Sequence, residues 1–529
     1  MHLNAKFTSL ATIGLALAGD AQFAPNRLNA EKNAYAIFNS IHSAGRQWGS
    51  GIYHNGFALI PAVVPRGSLF YHGSTSKDVP EGSEWLAFEP EAAEGFAGDW
   101  PGSPNNHNRP QNFSPVNQEN TSPSDVRRYV HTYRNNRDLK LLLIDGMSAG
   151  KTNYGTLDTQ DLVLLEGKNL YPSPFDDPRR GQDLCKVVQP WGYDGLIRSE
   201  IGFEIIHCNF TDNLYQMKVK STLHEEEKIG DYSMYWYQWI RAAGLRYDGL
   251  GARVKLDFSS MVSGLWYPVN MTNPDPLHPE FKRLAATPID KLRIMKDRVQ
   301  EIAKADYQTF LIDWRYIVDS IVERFSDRLA NMAHKDVSDV AFINEIQATA
   351  LSHVDAVGYL DSQDREAVLK QSIKDCMDHY LYPALPFSKR WNQADHMLYH
   401  SVITVMNATC TTFIQGWSDL REASGPDGLR IRYLSNSKEQ RITLNKAKTQ
   451  VKQLTASLGW TTWLKPRPCP VDEVNLVVMW PYGNKEDHSN PGCRKISELD
   501  MDRSDYWNFS IPVDVGEKPP VADLEFEEL

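Results

Sequence analysis

Gly67-Ser68-Leu69-Phe70-Tyr71-His72-Gly73-Ser74 is the stretch on which the reading of this chain turns. It is a short run of strand-forming residues closed by glycine and serine, as a strand should be. It ends in His-Gly, where a residue without a Cβ lets backbone approach a neighbour or a ligand closely. Downstream, Trp85-Leu86-Ala87-Phe88-Glu89-Pro90 through Phe96-Ala97 reads as a strand running into a short helix, carrying the aromatics Trp85, Phe88 and Phe96. A third block, Trp191-Gly192-Tyr193-Asp194-Gly195-Leu196-Ile197-Arg198, is followed by Phe203-Glu204-Ile205-Ile206-His207-Cys208, with a glutamate opening the strand.

Outward from these blocks the N-terminal part reads as β-rich. Strands are expected at Phe57 to Val64, Ser68 to His72, Trp85 to Phe88, Tyr129 to Tyr133, Leu139 to Asp145, Leu162 to Glu166, Gly195 to Arg198 and Phe203 to Phe210. One amphipathic helix over 29–47 precedes them. The stretch from Trp100 to Ser124, dense in Pro, Asn and Ser, reads as a surface loop. After about residue 285 the periodicity becomes helical: Pro288 to Ala303, Tyr307 to Met332, Val337 to Val357, Asp364 to Leu381, Lys389 to Leu420 and Ser437 to Leu458. Ser437-Lys438-Glu439-Gln440 has the form of a capping box. β-like pieces at Gly251 to Pro268 and Val471 to Tyr482 bracket this half. The expected organisation is a leader over 1–21, an α+β domain over 22–220, a linker with β elements over 221–285, and a mainly helical domain with a C-terminal β/loop segment over 286–529.

The three blocks together resemble the ADP-ribosyltransferase superfamily, in its His–Tyr–Glu branch, over about residues 55–215. In that family a strand ends in a [YW]-H-G-[ST] block, a second strand and helix supply two aromatics, and a later strand begins with the catalytic glutamate. The resemblance implies a split β-sheet domain and an enzyme that cleaves NAD, as an ADP-ribosyltransferase or an NAD glycohydrolase. Carried over by motif, Glu204 would stabilise the oxocarbenium-like ribose. His72 would hydrogen-bond the ribose side of the adenosine, and Gly73 would bracket the carboxamide. Trp85, Phe88 and Phe96 would offer rings to the pyridinium. Trp85 and Phe96 replace the family's usual tyrosines, so stacking survives and a phenolic hydrogen bond is lost. Glu200 is a rival carboxylate, placed in the turn before the strand. The competing expectation is a catalytically inactive interaction or structural protein that keeps the scaffold. Val254 to Ser263 and Asp472 to Pro481 also resemble stretches of uncharacterised secreted proteins of filamentous fungi, a likeness that implies no activity.

The rest of the sequence sets the compartment. One lysine, an apolar run from Phe7 to Ala18 and small residues near Ala21 form a secretory signal. That run is shorter than the roughly 20 apolar residues a bilayer span takes. An acidic C-terminus, Asp523 to Leu529, carries neither a lipid-anchor signal nor a retention tetrapeptide. Six cysteines without CxxC spacing fit three disulfides in an oxidising compartment, sequential pairing being one of the connectivities they allow. Sequons at Asn112, Asn120, Asn209, Asn270, Asn407 and Asn508 point the same way. The expectation is a secreted, extracellular protein. With 67 acidic against 56 basic residues and no basic cluster, nucleic acid and anionic membranes are disfavoured as partners. NAD and an acceptor or protein partner of unstated identity remain.

Three other motifs read as ordinary structure. Gly146-Met147-Ser148-Ala149-Gly150-Lys151-Thr152 looks like a P-loop but has three residues between the glycines where four are required, so a turn with an exposed lysine is expected. His396 and His400 share a helix face beside Asp395, without the glutamate of a metalloprotease helix. Glu486-Asp487-His488 reads as a polar loop. No metal is expected.

Overall fold

The computed structural model describes residues 23–97, 128–168, 176–222, 228–229, 232–246, 250, 253–305, 310–425, 437–465, 467–498 and 506–507. The leader over 1–21, the loop from Trp100 to Ser124 and the sequons at Asn112, Asn120 and Asn508 lie outside them. The fold is mixed α+β, with a curled sheet and a helical C-terminal part.

The strands are β1 (Asn55–Val64), β2 (Leu69–Ser74), β3 (Glu84–Ala87), β4 (Arg128–Asn135), β5 (Leu139–Gly146), β6 (Gly195–Glu200), β7 (Gly202–His207), β8 (Leu214–Thr222), the ribbon β9 (Lys228–Ile229) and β10 (Tyr232–Ser233), then β11 (Lys255–Leu256), β12 (Val262–Ser263), β13 (Glu473–Leu476) and β14 (Gly492–Lys495). Ten of them form one sheet in the order β11-β1-β5-β6-β7-β3-β2-β4-β8, with β12 also on β1. Only the β5–β6 pairing is parallel among these. The three blocks that are far apart in the chain therefore become neighbours, β7-β3-β2. Between β6 and β7 the chain reverses at Ile201, with Gly202 at a φ of 80° and Glu200 opposite Gly202. Only glycine enters that region cheaply.

One hydrophobic core runs through both halves, from Phe23 to Trp507. The helix Gln393–Ala423, 31 residues long, is its axis. The N-terminal helices Arg27–Lys32 and Ala34–Ser43 pack against it. Arg315, on the helix Trp314–Ala333, donates to the carbonyls of His42 and Ala44 and so caps the end of the second N-terminal helix. All six cysteines are paired, as Cys185–Cys208, Cys376–Cys410 and Cys469–Cys493. Among the described residues no helix is long and apolar enough to cross a membrane.

Several elements differ from the sequence expectations. The single helix over 29–47 is two, broken at Asn33, whose side-chain amide donates to the Leu265 carbonyl at 2.7 Å. Leu162 to Glu166 is not a strand: Thr159–Leu164 is a π-helical turn, and the Thr159 hydroxyl donates to the Gly56 carbonyl on β1. Its apolar run is too short for periodicity to separate strand from helix. The helix expected over Val337 to Val357 is Asp339–Ala350 followed by Ala356–Asp361, the second capped by Asp355. Within 221–285 the β elements are the short β9 to β12, and a helix that was not expected, Met234–Arg246, lies among them. At Ser437 only half of the capping box forms, because Gln440 donates to Ala423 instead of reaching back.

Candidate functional site

In an antiparallel pair, residues directly opposite each other project to the same face, and successive residues alternate. Tyr71 pairs with Ala87, Ala87 with Glu204, and Glu204 with Arg198. Glu204 and Arg198 thus share a face with Tyr71, and His72 points to the other.

The contacts agree. The His72 imidazole is bonded through Nδ1 to the Trp85 carbonyl at 2.8 Å and closed in by the rings of His131 and Phe210, at 5.8 and 5.2 Å. Burial pushes its pKa down to about 4, so the ring is neutral. Gly73 faces the helix Pro90–Ala97: a Cβ there would collide with the Ala93 carbonyl and the Ala97 amide. Its missing side chain serves helix–strand packing. Trp85 packs over Gly181 of the helix Asp177–Val188. Phe88 meets Phe70 edge-on with the Arg253 guanidinium above it, and Phe96 meets Trp239. Each of the three aromatics thus packs against a different partner, and His72 and Glu204 face opposite sides of the sheet.

A different set does converge. Glu204 lies in a buried ionic network with Lys151, Asp161, Asp177, Arg180, Arg198 and Glu200. Arg198, fully buried, donates from Nε and Nη2 to Glu204 Oε1 at 2.9 and 2.6 Å. It also donates to both Asp177 oxygens at 3.1 and 2.6 Å. Lys151 donates to Glu200 at 2.9 Å and lies 3.5 Å from Asp177, while Arg180 ties Asp177 to Asp161. Helix and hairpin are held in register here by the Cys185–Cys208 bond. Trp480, from the C-terminal segment, stacks on the Lys151 ammonium at 4.7 Å, and the Thr152 hydroxyl donates to the Trp507 carbonyl beside it.

Lys151, Arg180 and Arg198 face Asp161, Asp177, Glu200 and Glu204, three cations against four carboxylates. The odd carboxylate is visible in the proton affinities. Burial, with Glu204 and Asp177 adding to it against Lys151, pushes Glu200 up to about 7. Burial alone would raise Asp177 as well, yet the Arg198 and Lys151 charges hold it well below the carboxylate range. Burial opposes the charge on Lys151, but Asp177 and Glu200 outweigh it and its pKa is raised. Burial raises Asp161 as well, so the two carboxylates whose proton affinity the network increases are Glu200 and Asp161.

Two expectations need correction. Lys151 is 7% exposed, not solvent-facing: the turn after β5 carries it inward to the carboxylates. Glu200 ends strand β6 and does not sit in the turn. Of this network the sequence marked Glu204 and Glu200, and Arg198 closes the apolar run Gly195 to Ile197. Asp177, Arg180 and Trp480 carried no such mark. Elsewhere, Asp395 is a buried cap bonded to Asn392, Ser259 and Trp314. Asp487 caps its helix and pairs with Arg494. His488 bonds the Ile52 carbonyl. Among the described residues no group of three or more His, Cys, Asp or Glu is arranged to hold a metal.

Residues 27–122 and 93–231 of the chain are similar to the family model of the YPL277C N-terminal domain. Over longer spans it is similar to two Saccharomyces cerevisiae proteins. Uncharacterized protein YPL277C is 28% identical over 394 residues, 60% of this chain and 79% of that protein. Uncharacterized protein YOR389W is 25% identical over 540 residues, 87% of this chain and 84% of that protein. No solved structure matches the chain. Both relatives are fungal proteins described as uncharacterized, and neither name carries an activity to this chain.

Proposed function

We propose that this is an exported interaction or structural protein that keeps an ADP-ribosyltransferase-like sheet as scaffold and does not use it to cleave NAD. One observation carries the reading: the imidazole and the carboxylate that NAD cleavage would bring together lie on opposite faces of the sheet, each with its partners already in place. A carboxylate stabilises a developing cation only when its charge is available to that cation. Here a buried guanidinium already neutralises Glu204. Three disulfides support export.

A second reading, an ADP-ribosyltransferase or NAD glycohydrolase with Glu204 as its working carboxylate, is favoured by the adjacency of β2, β3 and β7. Incubating the purified protein with NAD and measuring nicotinamide separates the two. The scaffold reading expects no release above buffer. Release that disappears in Glu204→Gln and persists in Glu200→Gln would overturn it.

A further inference from the structure

Three of the six sequons fall on described residues, and the structure treats them differently. Asn209 follows β7, outside any helix or strand, and its side-chain Oδ1 accepts from the Thr211 amide at 3.2 Å and the Thr211 hydroxyl at 2.7 Å. Asn270 sits in irregular chain after Tyr267, and its Oδ1 accepts from the Thr272 amide at 3.0 Å. Asn209, Thr211, Asn270 and Thr272 are all exposed. In both turns the asparagine and its threonine are folded onto each other, while Nδ2 has no partner among the described residues. Asn270 is fixed from behind, because its amide donates to the Thr287 hydroxyl and its carbonyl accepts from it.

Asn407 lies within the helix Gln393–Ala423. It is exposed, but Thr409 is buried and its hydroxyl donates to the Val405 carbonyl at 2.9 Å. The two halves of that sequon lie in different environments, and its hydroxyl is committed to the helix.

We infer that Asn209 and Asn270 carry N-linked oligosaccharides. The acceptor sequence is an asparagine with a hydroxyl two residues on, and the bulky product is accommodated where both lie exposed in a surface loop. These turns present both. In the transfer, Nδ2 bonds to the anomeric carbon of a lipid-pyrophosphate-linked oligosaccharide. The carbon–oxygen bond to the pyrophosphate breaks, the electron pair leaves with the pyrophosphate, and Nδ2 loses one proton. A glycan at either position projects into solvent and displaces no packed side chain, so the fold accommodates both.

The inference rests on the export part of the proposed function, and the test separates the two. The full chain is expressed in a fungal host, medium and cell fractions are collected, and each is treated with peptide-N-glycosidase. The expected result is protein in the medium, with a mobility step removed by the enzyme and asparagine-to-aspartate conversion at positions 209 and 270 by peptide mass spectrometry. Asn209→Gln and Asn270→Gln should each lose one step. Thr211→Ala and Thr272→Ala should do the same without altering the asparagine, and Thr211→Ser and Thr272→Ser, which keep the sequon, should retain it. Secreted protein unmodified at both positions overturns the glycan inference and leaves export standing. Protein confined to the cell and unmodified overturns both.

Discussion

Replacing Arg198 by methionine tests whether the ionic network is structural. Methionine keeps an unbranched apolar stem of similar reach and removes the guanidinium. Five hydrogen bonds go with it: two to Glu204, two to Asp177 and one to Gln160. Asp177 retains Lys151 and Arg180. Glu204 loses the cation that neutralises it while remaining buried. Removing one partner of a buried pair costs about 3–5 kcal/mol, chiefly through the charge left uncompensated. For a cooperative unit of roughly 150–250 residues that is a fall of about 6–20 °C in apparent Tm. The double variant Arg198→Met/Glu204→Gln removes both charges and should recover part of the loss, with a coupling of about 0.5–3 kcal/mol. Differential scanning fluorimetry on wild type, both single variants and the double measures it. An Arg198→Met protein within about 1 °C of wild type, or a double variant whose loss is the sum of the singles, would refute the structural role.

Glu200 makes stability pH-dependent in a direction opposite to that of most carboxylates. Its pKa is raised by folding from 4.5 to about 7, so the folded chain holds a proton that the unfolded chain releases. The stabilisation is complete below about 4.5 and is lost as pH rises through about 7. Glu200→Gln keeps a neutral side chain throughout, so urea midpoints of this variant, compared with wild type at several pH values, should lack that component of the slope; equal slopes would remove the assignment. Gly73→Ala tests the packing role at the end of β2, because its new Cβ meets helix backbone that has no flexible end to yield. It should cost about 1–3 kcal/mol in a denaturant titration, whereas an unchanged midpoint would show that strand and helix part freely there.

Much of the frame was legible along the chain. The strands of β1 to β7 announced themselves by short apolar runs between turn residues, and the helices after residue 285 by their spacing, since both signals are local. β8 was not, because it is an edge strand with mostly exposed side chains and little apolar contrast. Neither was Met234–Arg246, a helix in a stretch expected to carry β elements. The candidate site divides in the same way. Glu204 and Glu200 were singled out from sequence, and the structure sets both among buried charges. Their partners come from a turn after β5, a helix N-terminus and the strand opposite, and Trp480 arrives from the far end of the chain.

Composition, the apolar leader and the cysteine and sequon counts were enough to set the expectation of export, because they depend only on residue identity. Which cysteines pair, and which carboxylates burial pushes up in pKa, depended on distances in space. So did the side of the sheet each motif residue occupies. A strand's pleat reverses direction with every residue, so His72 and Glu204 could be assigned to faces only once the β2–β3–β7 register was fixed.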